Sequence, residues 1–188
     1  WFVQWGLAHR VLEAVHAIGI DEIHWGKGLR SDNFLTVIYQ IDTHCRRLLW
    51  VGPRRTQAAL RRGLATLGPE VLKGVRFVCS DMWKPYLRVI ATHLGQALHI
   101  LDRFHITSHL NDALDQVRRA ECSRLQGRPQ ATKLKRMRWK LLRRGSRVRG
   151  HAKRKLWGLL RTKLATGRAW MLKETFEDFW HYRSLTWA

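Results

Sequence analysis

The chain has 188 residues, with 35 Lys and Arg against 14 Asp and Glu and a formal charge of +21. That length suits one domain of ordinary size with apolar residues enough for a core, and so basic a domain attracts polyanions, so nucleic acid is the expected partner. No run approaches the roughly 18 apolar residues of a membrane-spanning helix, and Trp1 to Arg10 lacks the basic-then-apolar order of a signal peptide.

In chain order, residues 1–16 read as a linker helix with Phe2, Trp5 and Leu12 among its buried positions. The first residue is not methionine, which points to a piece of a longer chain. Ala17-Ile18-Gly19-Ile20-Asp21-Glu22-Ile23 reads as a short buried strand carrying a carboxylate near its end. A turn-rich connection with Gly26, Gly28 and Ser31 leads to a second strand, Asn33 to Asp42, rich in β-branched and aromatic residues. A tight turn and a third strand, Arg47 to Val51, follow. Thr56 is a plausible cap for a helix over 56–67, with Ala59, Leu60, Leu64 and Leu67 at helical spacing, and Gly68-Pro69 stops it.

The fourth strand, Val75 to Ser80, delivers Asp81. Residues 82–94 read as a helix broken early by Pro85, and Ala97 to Leu101 as a fifth strand delivering Asp102. Three strands by hairpin, then helix, strand, helix and strand, predict an α/β fold with a mixed sheet and helices on its faces. After Phe104 the strands stop. Residues 106–125 predict a long helix with Asp112, Asp115, Arg118, Arg119 and Glu121 on a charged side and Leu110, Leu114 and Val117 on an apolar one. From Gly127 to Lys173 the pattern stays helical and holds no Asp or Glu, while about half of all Lys and Arg fall there. A solvated face normally mixes signs. Lys133, Lys135, Arg136, Arg138, Lys140, Arg143 and Arg144 are therefore the candidate phosphate contacts.

Cys45, Cys79 and Cys122 are scattered and form no C-x-x-C pair, which suits a reducing cytoplasm and no structural zinc site. Ten tryptophans are unusual; Trp139, Trp157, Trp170, Trp180 and Trp187 in the basic half read either as helix packing or as platforms for bases.

The carboxylates carry the chemistry. Phosphodiester transfer needs relief of charge at phosphorus and an activated oxygen nucleophile, which two divalent metals about 4 Å apart supply. Magnesium takes oxygen ligands and keeps several waters, so a few carboxylates at rigid strand ends suffice. Asp21 and Asp81 meet that demand if their strands are neighbours; otherwise each is an ordinary turn or cap residue. Glu22 points to the opposite face from Asp21, and its ordinary role is a surface carboxylate paired with an arginine. His105 and His109, at i and i+4, have spacing that binds metals, or else they pack as hydrogen-bonding histidines. Lys84 and Arg103 flank the acid motifs and either hold a phosphate or pair with a neighbouring carboxylate.

Five motifs in order, Gly19-Ile20-Asp21-Glu22, Leu49-Trp50-Val51-Gly52 with Arg55-Thr56, Cys79-Ser80-Asp81-Met82-Trp83-Lys84-Pro85-Tyr86, Leu101-Asp102-Arg103-Phe104-His105, and His109 to Arg119, resemble those of bacterial insertion-sequence transposases. The similarity is to the ISL-three family, with its DDE catalytic domain, and covers the chain from about Trp5 to Ala188. The resemblance implies a ribonuclease-H-like fold over 17–105 followed by a basic all-helical insertion over 106–188. It implies catalytic, metal-holding Asp21 and Asp81, active-site support from Asp102 and His105, and Mg2+ or Mn2+ as cofactor. Double-stranded DNA is the implied partner, with a homo-oligomer for the full-length protein, no membrane, and a bacterial cytoplasm where the protein associates with the nucleoid. The family's third acid, a glutamate, follows the insertion in a stretch like N-G-x-x-E-G-x-N-N, and no such stretch occurs here. Glu174 and Glu177 are not assigned that role. The chain therefore reads as a fragment of a metal-dependent DNA-cleaving and strand-transferring enzyme, with low expected activity alone. The alternative is a catalytically inactive DNA-binding remnant; a structure-selective nuclease on the same fold is a third reading, against which the LWVG and DRFH motifs argue.

Overall fold

The computed structural model describes residues 5–6, 9–27 and 31–182. The chain divides into two compact units, Trp1–His105 and Ile106–Ala188. In the first, β1 (Ala17–His24), β2 (Phe34–Asp42) and β3 (Cys45–Pro53) form an antiparallel meander. Helices α1 (Gln57–Leu67) and α2 (Pro69–Gly74) then carry the chain across to β4 (Phe77–Ser80), and α3 (Lys84–His93) carries it on to β5 (Leu98–Leu101). Parallel neighbours need such crossovers. β4 pairs with β1, and β5 with β4, both in parallel, giving the order β3-β2-β1-β4-β5 with β1 central. This is the mixed α/β sheet with flanking helices that the order of elements predicted.

Alternation along the strands decides which face is covered. Ile18, Ile20, Ile38 and Val78 point to one side and are buried with Leu60 and Leu64 of α1 and Tyr86, Val89 and Ile90 of α3. Leu48, Val51, Phe77, Leu98 and Ile100 alternate with that set and are exposed. Thr56 caps α1 as predicted, its hydroxyl accepting from the Ala59 N–H at 3.1 Å.

Three expectations are corrected. The helix over 1–16 does not reach the strand: Trp5, Gly6 and His9 are helical, but residues 10–16 are not, and Ala14 has φ 53°. Side chains from the sheet hold that stretch instead, Gln40 donating to Ala14 O at 3.2 Å and Arg47 to Val11 O at 3.0 Å. Pro85 does not break a helix. It lies in the first turn of α3, where its missing N–H has no intrahelical acceptor to lose. Pro69 likewise opens α2 rather than merely ending α1.

The second unit contains most of α4 (Arg103–Arg124), then α5 (Pro129–Leu142), α6 (Gly150–Leu160) and α7 (Ala165–Asp178). Its core gathers Leu114, Leu134, Leu141 and Leu156, one or two from each of the first three helices. The charged side read for α4 is partly interior: Asp115, Arg118 and Glu121 are all buried. They are buried because they are paired. Arg118 donates to Asp115 at 2.8 Å, and Glu121 accepts from the backbone N–H groups of Ala165 (2.9 Å) and Thr166 (2.8 Å) and the Thr166 hydroxyl (2.7 Å). Glu121 thus caps the amino end of α7 from across the bundle. Burial works against ionisation of Glu121, but the three bonds from Thr166 and Ala165 outweigh it and bring its pKa below the usual value. Among the described residues no helix is long and apolar enough to cross a membrane, and all three cysteines are free.

Candidate active site

β1 and β4 are direct neighbours, and Ile20 pairs with Ser80. Asp21 and Asp81, one residue further on each, therefore emerge side by side from adjacent strands. Gly19, two residues before Asp21, permits the close approach of Tyr39, whose ring a Cβ there would meet at 2.3 Å. Asp81 is 6% exposed. Its Oδ1 accepts from the Trp83 N–H at 3.0 Å, and its Oδ2 faces Arg55 Nη2 at 3.1 Å. Asp21 Oδ1 accepts from the Glu22 N–H at 2.8 Å.

Glu22 does pair with an arginine, but as a half-buried group rather than a surface one. Its side chain is 11% exposed, Oε1 lies 2.6 Å from Arg55 Nη2, and Oε2 is buried with no hydrogen-bond partner. Burial raises its pKa to about 7; Arg55 and His105 oppose that rise, and Asp81 and Asp21 add to it. One guanidinium nitrogen thus bridges Glu22 and Asp81. The Arg55 guanidinium itself lies over the Trp83 ring (Cζ 4.4 Å from the centroid) and over that of Phe34 (5.7 Å).

Asp102 follows β5, where its Oδ1 accepts from the Phe104 N–H at 2.8 Å and its Oδ2 lies 3.8 Å from His105 Nε2. Asp102 and Asp21 both push up the pKa of Tyr39 and of Cys79, in each case after burial as the main cause. The structure therefore gathers Asp21, Asp81, Glu22, Asp102 and His105 at one end of the sheet. His109 is exposed and has no metal-binding companion: among the described residues no group of three His, Cys, Asp or Glu could hold a metal ion. Lys84 is exposed in the first turn of α3, and Arg103 is exposed at the start of α4.

Asp21 and Asp81 offer only oxygen, the donor that magnesium or manganese takes, while Glu22 Oε2 is buried with no hydrogen-bond partner. Two carboxylates plus water and substrate phosphate are an ordinary magnesium environment, so these residues fit the ion.

The basic candidates lie on and after α5. Lys133, Lys135, Arg136 and Arg143 are exposed, and Lys140 is half-buried. Arg138 is partly engaged, 3.5 Å from Asp115 and stacked on Trp139 at 4.8 Å. Arg144 pairs with Glu177 at 2.8 Å, and Glu174 accepts from the Gly145 N–H at 2.8 Å. Both glutamates thus hold the second unit together. Trp139 and Trp157 are exposed, Trp170 and Trp180 half-buried, and Trp187 lies outside the described residues.

Sequence reasoning did not find Arg55. Its partners are 26 and 33 positions away, and no periodicity links them. The one signal was its place beside Thr56 in a recurring motif.

The sequence pattern of a family described as transposases, of the ISL-three DDE type, matches residues 18–188. The transposase of insertion sequence element IS1001 from Bordetella parapertussis is 28% identical over 176 residues, which cover 93% of this chain and 42% of that protein. The transposase of IS1557 from Mycobacterium tuberculosis is 31% identical over 102 residues, 54% of this chain and 22% of that protein. The chain thus spans less than half the length of the relatives it matches.

Proposed function

Because the chain belongs to the ISL-three family of transposases, we propose that it is part of a DDE catalytic domain in which Asp21 and Asp81 hold a divalent cation for cutting and joining DNA. The observation that carries this reading is the parallel pairing of β1 with β4, which brings two acids sixty residues apart in sequence side by side where that pairing ends. A bound Mg2+ or Mn2+ would relieve negative charge on the scissile phosphate and favour ionisation of the attacking oxygen. The chain's own part is orientation. Rigid strands fix where the two carboxylates emerge, and the Trp83 N–H and Arg55 fix how Asp81 is turned. Asp102 and His105 border the acids and support the site, and Lys84 and Arg103 supply positive charge for a backbone phosphate.

The second unit, 106–188, is the insertion that precedes the third acid in the family, and its exposed cations contact DNA phosphates. The full-length protein is a bacterial, nucleoid-associated homo-oligomer that hydrolyses the phosphodiester at element ends and uses the freed 3′ hydroxyl to attack a target phosphodiester, forming the new bond as the target strand's 3′ oxygen leaves. An inactive DNA-binding remnant is the second reading, favoured by the absence, among the described residues, of a three-ligand metal cluster.

Calorimetric titration with Mn2+ separates the two. The chain binds the ion, and an Asp21→Asn, Asp81→Asn double variant does not. Equal binding by both, or none by either while DNA is still held, leaves the remnant.

A further inference from the structure

Arg55 stands where a flexible side chain would not. The residue before it, Arg54, has φ 74°, a left-handed conformation that costs a non-glycine residue energy. That turn is held at both ends: the Arg54 N–H donates to Phe34 O at 2.7 Å, and Arg54 O accepts from the Thr36 hydroxyl at 2.6 Å. Thr36 is itself fully buried against the Tyr86 hydroxyl, 2.5 Å away. The residue after Arg55 is Thr56, the cap of α1. Arg55 is therefore clamped between a strained, hydrogen-bonded turn and a helix end, with its guanidinium stacked on Trp83 and its Nη2 on two carboxylates.

We propose that Arg55 is the positioning residue of Asp81: by bridging Asp81 to Glu22 it fixes the rotamer in which Asp81 presents its oxygens. This rests on the reading of Asp81 as a metal-holding acid. The chemistry is that of an outer-shell arginine. A planar, always-charged guanidinium can orient a carboxylate through one nitrogen while stacking on an aromatic face, which a lysine ammonium does poorly. Asp81 then has one oxygen on the Trp83 N–H and the other on Arg55, so no rotation is free. Glu22 serves as the anchor that holds Arg55 at the right reach.

The test uses this chain with Arg55→Gln, Arg55→Lys and, separately, Asp81→Asn. The first readout needs no metal: hydrogen exchange of the Trp83 amide, which reports its bond to Asp81 Oδ1. In Arg55→Gln this amide exchanges about tenfold faster while the Val78 amide inside the sheet keeps its wild-type rate. The second is Mn2+ affinity, which falls about tenfold in Arg55→Gln, as expected for loss of an outer-shell partner, and is partly restored in Arg55→Lys. Unchanged Trp83 exchange in Arg55→Gln overturns the proposal. So does a general loss of protection that includes Val78, which would make Arg55 a structural residue only. If Asp81→Asn binds Mn2+ as tightly as the wild type, the reading of Asp81 as a ligand fails instead, and the amide result still decides what Arg55 does to Asp81.

Discussion

Glu22 shows how one residue can report the state of the whole site. Its carboxyl titrates near 7 in the fold because burial outweighs the attraction of Arg55, whereas in an unfolded chain it titrates near 4.5. Between those values the folded chain keeps a proton that the unfolded chain has lost. Stability from this group is therefore complete below pH 4.5 and is lost as pH rises through 7. The full shift would correspond to about 3 kcal/mol, which screening at this partly solvated site reduces to roughly 1–2 kcal/mol. Glu22→Gln cannot titrate. In EDTA, urea denaturation should show the variant gaining about 1–2 kcal/mol on the wild type between pH 4.5 and 8. A difference independent of pH would mean that Glu22 is ionised throughout and that Arg55 dominates its environment. The residue scale is also where sequence reading ran out. The strand run Ile18-Gly19-Ile20 and the run before Asp81 announced both acids, because a buried strand needs apolar residues and a carboxylate interrupts them, inside β1 at Asp21 and just past β4 at Asp81. The Arg55 bridge had no such trace, since it depends on how a loop between β3 and α1 folds back over the sheet.

At the scale of elements, helix α1 carries a conflict between local propensity and packing. Gly63 sits mid-helix, where alanine would ordinarily add about 1 kcal/mol of helix stability. Here a Cβ would lie 2.6 Å and 2.9 Å from ring atoms of Trp50 and 2.8 Å from Ile38 Cδ1. The Ile38 methyl can move, but the Trp50 ring is held between the strand and the helix, and overpacking of this kind costs about 1–3 kcal/mol. Packing wins, so Gly63→Ala should lower the denaturation midpoint without changing the slope; a stabilised variant would show that Trp50 can swing aside. The same contest explains which elements were legible. The helix over 56–67 and all five strands had agreeing signals of period and punctuation. Gly68-Pro69 carried two meanings at once, the end of α1 and the start of α2, and only the first was read. α4 misled because its polar residues were taken for a wet face, whereas Asp115 and Arg118 are buried as a pair within α4 and Glu121 is buried on the amino end of α7. Buried charge that is fully paired looks, in one dimension, the same as exposed charge.

For the whole molecule the dominant quantity is the charge of +21, and its distribution makes the prediction specific. In the first unit, acids gather at one end of the sheet, so that end repels a bare polyanion until a cation or Arg55 offsets them. In the second, the stretch from 127 to 173 holds no acid at all, yet not every cation in it is available. Arg144 is spent on Glu177, Arg138 is shared between Asp115 and Trp139, and Lys173 is buried on the Leu141 and Arg143 carbonyls. Lys133, Lys135, Arg136 and Arg143 are the exposed members of the candidate set. If these four meet phosphates, replacing all four by alanine should reduce the slope of log K against log salt by roughly 3–4, at about 0.9 per phosphate contact on duplex DNA. Replacing Arg144 and Arg138 should change the slope less and stability more, because their work is internal. Fluorescence anisotropy with a short duplex at 50 to 200 mM salt measures the slopes, and urea denaturation the stabilities. A quadruple variant with an unaltered slope would move the DNA contacts off α5, and the exposed cations of α6, Lys153, Arg154 and Lys155, would be the next face to neutralise.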